Sequence, residues 1–206
     1  MRIGVDFDNT IVCYDKVFHK IALEQRLIPS DLQADKGSVR DFLRRNGQEE
    51  AWIHLQGLVY GSRIRESVPF PGVREFIAEC GRREIELFII SHKTRHPFRG
   101  PLFDLHEAAL DWLSHHCFFN SAERRLQRSH IYLELTKRAK IERIRDLECR
   151  YFIDDLPEFL AEPDFPTTVE KILFDPSGAS RGDNQFHRAS SWSEIGRLIF
   201  SEKVLR

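Results

Sequence analysis

Short, wholly apolar runs separated by helical repeats set the pattern of this chain. Ile3-Gly4-Val5, Leu87-Phe88-Ile89-Ile90, Tyr151-Phe152-Ile153 and Ile172-Leu173-Phe174 carry almost no polar residue, as strands buried on both faces do. His130-Ile131-Tyr132-Leu133 offers a fifth strand. Between these runs the apolar positions fall three and four apart. Val73, Phe76, Ile77 and Cys80 do so after Pro71-Gly72, and Leu105, Ala108, Ala109 and Trp112 repeat the spacing. Ile141, Ile144 and Leu147 follow a capping Thr136, while Ile195, Leu198 and Ile199 follow the capping box Ser191-Trp192-Ser193-Glu194. Strands alternating with helices predict an α/β fold with a parallel sheet covered on both faces.

One segment breaks the alternation. From about Tyr14 to Ser67 there are helical patterns at Val17, Ile21 and Ala22, at Phe42 and Leu43, and at Trp52, Leu55 and Val59, but no convincing strand. The expected division is therefore a core of residues 1–13 and 68–206 with a helical insertion of residues 14–67.

Three of the buried runs end in polar residues at their carboxyl ends, where open α/β sheets place their ligand crevices. The first leads into Asp6-Phe7-Asp8-Asn9-Thr10, two carboxylates two residues apart with a hydroxyl to hold the turn. One carboxylate suits a nucleophile or metal ligand, the other an acid/base group. Such residues also serve as ordinary turn and cap chemistry, because Asp, Asn and Thr all bond nearby backbone amides. The second run ends in Ser91, followed by His92-Lys93-Thr94; a serine ending a strand is common in itself. The third ends in Asp154-Asp155. Paired anions beside a buried strand need compensation, and a hard divalent cation supplies it, with a capped and solvated turn as the bland alternative.

Taken in order, these motifs resemble those of the haloacid dehalogenase superfamily, most of whose members are phosphatases. The resemblance spans about residues 1–13 and 68–175 and implies a Rossmann-like three-layer core, with the insertion after the first strand as a small helical cap. It implies Asp6 as nucleophile and Asp8 as general acid and base. Ser91 would bind a phosphate oxygen, and Mg²⁺ would be held by Asp6, the Asp8 carbonyl and Asp154, with Asp155 as a direct or water-mediated ligand. The superfamily also uses a lysine before the acidic pair, for which Lys140 and Lys137 are both candidates. Asn9, Thr10, His92, Lys93 and Arg95 complete the candidate substrate contacts, although basic runs like the one after Ser91 are often merely solvated. The implied function is Mg²⁺-dependent hydrolysis of a small phosphate monoester, a sugar phosphate or nucleotide-like metabolite, through an aspartyl-phosphate.

Two departures leave the subfamily open: Asn9 stands where many relatives have Gly, and the interval from Ser91 to Lys137 is long. Dehalogenases proper generally lack the second aspartate of the first motif, so Asp8 argues against them. A phosphotransferase or phosphomutase would use the same residues, and a catalytically silent binding domain would keep the fold. No Gly-x-x-x-x-Gly-Lys-Ser/Thr run suggests a P-loop kinase.

Composition narrows the partners. The 206 residues carry 31 Lys plus Arg against 32 Asp plus Glu, so no global charge recruits nucleic acid or an anionic membrane. The Asp6 strand begins almost at Met1 and no apolar run reaches the length of a membrane span, giving the expectation of a cytoplasmic protein. Cys13, Cys80, Cys117 and Cys149 show neither zinc spacing nor a disulfide framework, and adjacent His115 and His116 read as structural or surface residues.

Overall fold

In the computed structural model, residues 1–119, 126–178 and 186–201 are described. The apolar runs form strands β1 (Arg2–Val5), β4 (Glu86–His92), β5 (Ile131–Glu134), β6 (Tyr151–Asp154) and β7 (Glu170–Phe174), to which β8 (His187–Ala189) adds an edge. They make one sheet of order β5-β4-β1-β6-β7-β8, with every pairing parallel. The central residues Ile3, Val5, Ile89, Ile90, Phe152, Ile153, Ile172 and Leu173 are buried, as continuous apolar runs demand. Two short strands, β2 (Val12–Cys13) and β3 (Val68–Pro69), pair separately.

Register decides what emerges at the carboxyl edge. Val5 lies level with Ile89 on one side and Ile153 on the other, and the Asp6 amide donates to the Ile153 carbonyl at 2.9 Å. Asp6 and Asp154 therefore leave adjacent strands at the same height. Gly4 permits this close pairing, since a Cβ there would stand 2.6 Å from Phe152 Cδ2 and 3.2 Å from Cys149 Sγ.

The chain divides into two compact units. The first comprises residues 1–11, 69–92 and 117–206 and holds the six-stranded sheet. Helices α4 (Val73–Arg82), α6 (Lys137–Asp146), α7 (Pro157–Leu160) and α8 (Trp192–Ser201) belong to it. One face of its sheet buries Phe88, Ile90, Ile141, Ile144, Phe152 and Phe159 together. On α4 and α8, Phe76 and Trp192 pack with ring centroids 5.0 Å apart.

The second unit comprises residues 12–68 and 93–116. It holds α1 (Asp15–Glu24), α2 (Lys36–Arg45), α3 (Glu49–Tyr60) and α5 (Leu105–His115). At its centre Phe18 stacks on Trp52 at 5.0 Å, with Tyr14 and Tyr60 edge-on to Phe18. Residues 93–116, which the sequence pattern assigns to the core, group here for identifiable reasons. Trp112 Nε1 donates to the Ser67 carbonyl at 3.2 Å, Arg65 is paired with Asp111, and Gly57 backs onto Pro97 and Arg99 with no room for a Cβ.

Candidate active site

The loop after β1 folds on itself, with the Ile11 amide bonded to the Phe7 carbonyl at 3.1 Å. Asn9 has φ of 57°, in the left-handed region that Gly and Asn occupy at least cost, which accounts for Asn in a slot where a glycine would also serve. Thr10 is fully buried. Its hydroxyl donates to Asp155 Oδ1 at 3.3 Å, and its carbonyl accepts from Trp192 Nε1 at 3.2 Å. Thr10 thus ties the loop to the acidic pair and to α8.

Helix α6 carries both candidate lysines. Thr136 caps it, accepting from the Ala139 amide at 3.1 Å, and Ile141 and Ile144 turn its apolar face to the core. Lys140, beside that face, is 3 % exposed and donates to Asp6 Oδ1 and Asp154 Oδ2, both at 2.6 Å. Lys137 is exposed, with its ammonium 3.5 Å from Glu162. Lys140 alone of the two reaches Asp6.

Asp154 is fully buried, and its second oxygen accepts from the Leu156 amide at 2.9 Å as the chain turns into α7. Asp6, Asp154 and Asp155 each present an oxygen, all within 4.8 Å of one another. Three carboxylates against one ammonium leave an excess of negative charge in a buried place. Its consequence is visible in Asp154: burial, aided by the Asp6 charge and opposed by Lys140, pushes its carboxyl up to about 6. For Lys140, burial works against the ammonium, but Asp154 and Asp6 outweigh it and hold the lysine above its ordinary range. An all-oxygen donor set short of positive charge fits a hard divalent cation such as Mg²⁺. Asp8 is half-buried, two residues beyond Asp6, and its side chain is not one of the three.

Ser91 lies on β4, next to β1 in the sheet. It is 1 % exposed, and among the described residues its Oγ has no hydrogen-bond partner. A buried hydroxyl in that condition is costly unless a ligand satisfies it. His92, the next residue, is exposed, and partial burial followed by the charge of Lys140 lowers its pKa.

The remaining cations of that stretch belong to the second unit and are engaged there. Lys93 is buried with its ammonium 4.9 Å from the Tyr60 ring centroid, and Arg95 pairs with Asp104 at 2.6 Å, the same carboxylate that caps α5. Two contributors were hidden from sequence reasoning. Trp192 holds the Thr10 carbonyl from 182 positions away, and Phe159 sets its ring centroid 4.1 Å from Lys140 Nζ. The only sequence signal for Phe159 is an aromatic residue shortly after the acidic pair.

No protein-family model and no curated protein matches the sequence. Solved structures do match its fold. A HAD family hydrolase from Deinococcus radiodurans, solved with phosphate and sodium, aligns with a TM-score of 0.56 at 12% identity, over 97% of this chain and 95% of its own. The fold is that of the haloacid dehalogenase superfamily. CbbY from Rhodobacter sphaeroides, solved in complex with phosphate, aligns with a TM-score of 0.55 at 14% identity, over 95% of this chain and 96% of its own. YfnB from Bacillus subtilis, described as a HAD-hydrolase and solved with magnesium, aligns at 0.54 and 13%, over 96% and 97%. Among the described residues no helix is long and apolar enough to cross a membrane.

Proposed function

We propose that the protein is a Mg²⁺-dependent phosphatase that hydrolyses a small phosphate monoester through an aspartyl-phosphate on Asp6. The observation that carries this reading is the Lys140 ammonium, buried and shared at 2.6 Å between Asp6 and Asp154. An anionic nucleophile can approach an anionic phosphate only if their repulsion is screened, and a fixed cation at the nucleophile does that. Solved HAD-fold neighbours that hold phosphate or magnesium support the same reading.

Mg²⁺, when held by Asp6, Asp154, Asp155 and the Asp8 carbonyl, would neutralise phosphoryl charge and orient the substrate. The chain's own residues do the rest. Asp6 attacks phosphorus in line, forming the acyl-phosphate bond as the bond from phosphorus to the ester oxygen breaks. Asp8 gives its proton to the departing alkoxide. It then takes a proton from water, whose oxygen attacks the phosphorus of the intermediate, releasing phosphate and restoring the Asp6 carboxylate. Ser91 donates its otherwise unsatisfied hydroxyl to a phosphoryl oxygen, and Lys140 balances the charge that develops near Asp6. Thr10 acts indirectly, by holding Asp155. In this reading the helical unit is the cap that selects the substrate, and its basic residues Lys93 and Arg95 serve that unit's own packing.

The test is a panel of phosphorylated metabolites and an aryl phosphate, with and without Mg²⁺. Turnover should require the metal. Asp6→Asn should abolish it while the far-UV circular dichroism stays unchanged, and Asp8→Asn should slow it by on the order of 10²-fold or more. Metal-dependent turnover undiminished in Asp6→Asn would rule out the covalent route. Absence of turnover across the whole panel would favour a silent binding domain.

A further inference from the structure

An ammonium has three N–H donors, and the carboxylates of Asp6 and Asp154 account for two of those on Lys140. Water has little access to the third, because the side chain is 3 % exposed. A buried donor left unsatisfied is costly, so the surroundings of Nζ matter. They are aromatic. Nζ stands over the Phe159 ring at 4.1 Å from its centroid and over Phe152 at 5.3 Å. Both rings are buried, and Phe165 fixes their attitude, edge-on to Phe159 at 5.6 Å and tilted to Phe152 at 6.0 Å. The face of an aromatic ring carries negative potential and attracts a desolvated cation placed over it.

We infer that Phe159 is a positioning residue, whose ring face holds the Lys140 ammonium between Asp6 and Asp154. This goes one step beyond the proposed hydrolysis and rests on it for its catalytic meaning. While Asp6 carries a phosphoryl group, the negative charge sits on the phosphoryl oxygens and no longer on the carboxylate, so one of the two contacts that hold Lys140 must be remade mid-cycle. Asp154 and the ring remain. The ring therefore keeps the ammonium in place while its contact with Asp6 changes.

The consequence is tested by grading the ring's electrostatics at nearly constant shape. Phe159 is replaced by mono-, di- and trifluorinated phenylalanine, which progressively empty the ring face, and by Phe159→Leu, which removes it. The same fluorinated residues at Phe76, a core ring packed on Trp192, serve as the control. Two readouts are taken. The first is solvent exchange of the Lys140 ammonium hydrogens, followed by ¹H–¹⁵N NMR on metal-free protein. The second is kcat on an aryl phosphate with Mg²⁺. Exchange should quicken stepwise with each fluorine at position 159, reaching about tenfold in the trifluoro and Leu proteins, and should not respond to fluorine at position 76. kcat should fall in the same order. Exchange that is flat across the fluorinated series, or that changes only in Phe159→Leu, would reduce Phe159 to packing and overturn the inference. Because exchange is read without substrate or metal, a protein inactive on phosphate esters would undo the proposed function, and the exchange rates would still tell whether the Phe159 ring holds the ammonium.

Discussion

Replacing Lys140 by Met isolates the electrostatic role of the lysine. Methionine fills much of the volume of the lysine stem and removes the charge. Asp154 is fully buried and Asp6 nearly so, and together they would lose the cation they share. Removing one partner of a buried ion pair costs about 3–5 kcal/mol, because the other charge is left uncompensated. For a protein of 206 residues that corresponds to a fall in Tm of roughly 6–20 °C. The sign of the pH dependence follows from Asp154. Its carboxyl is already raised from 3.8 to about 6 by burial, so the cost of keeping it ionised is absent at low pH, grows between those values and is complete above them. Without Lys140 the folded value must rise further. The deficit of the variant should therefore be largest near neutral pH and shrink toward about pH 5, where Asp154 takes up a proton in place of the missing ammonium. The assay is thermal unfolding followed by circular dichroism in chelator at both pH values, repeated with Mg²⁺, which should rescue the variant more than the wild type. A Tm near neutral pH within a degree or two of wild type would refute the claim that the lysine offsets buried charge.

Two further substitutions probe different physics. Ser91→Ala removes a buried hydroxyl that has no partner among the described residues, so urea unfolding should find the variant as stable as wild type or slightly more so, while kcat/KM for phosphate esters drops on the order of 10²-fold. A marked loss of stability would mean that the hydroxyl is satisfied in the folded protein. Gly4→Ala forces a Cβ to within 2.6 Å of the Phe152 ring, and overpacking of that kind should cost about 1–3 kcal/mol in the same unfolding experiment. An unchanged midpoint would show that Phe152 can move aside freely.

What the sequence disclosed and what it withheld divide along a physical line. The strand leading to Asp6 and those bearing Ser91 and Asp154 were legible because buried parallel strands must be continuously apolar, and the cap at Thr136 was legible because capping is local. Choosing between Lys140 and Lys137 needed only the helix phase in principle, yet both lie near the first turn, and only packing against Asp6 separates them. Strand β8 is three residues long with two of them exposed, so it carries no apolar signature. The grouping of residues 93–116 with the helices of residues 12–68 was equally hidden, since it depends on Trp112 reaching Ser67 and on Gly57 admitting Pro97. Thr10 reads locally as a turn residue. Its bonds to Asp155 and Trp192 are long-range and leave no periodic trace.

The place of β1 in the sheet has a consequence for biosynthesis. This strand is made first among those of its sheet, yet it lies in the middle, flanked by β4 and β6, and its loop is held by a tryptophan on α8. During translation the segment that carries Asp6 must wait, without its neighbours, until the ribosome has delivered residues 86–92, then 151–154 and at last 192. Formation of the candidate site is thus governed by contacts of high sequence separation, which close slowly. A chain released early, before Trp192 emerges, would carry every proposed catalytic side chain and still lack the anchor for the loop that carries Asp6.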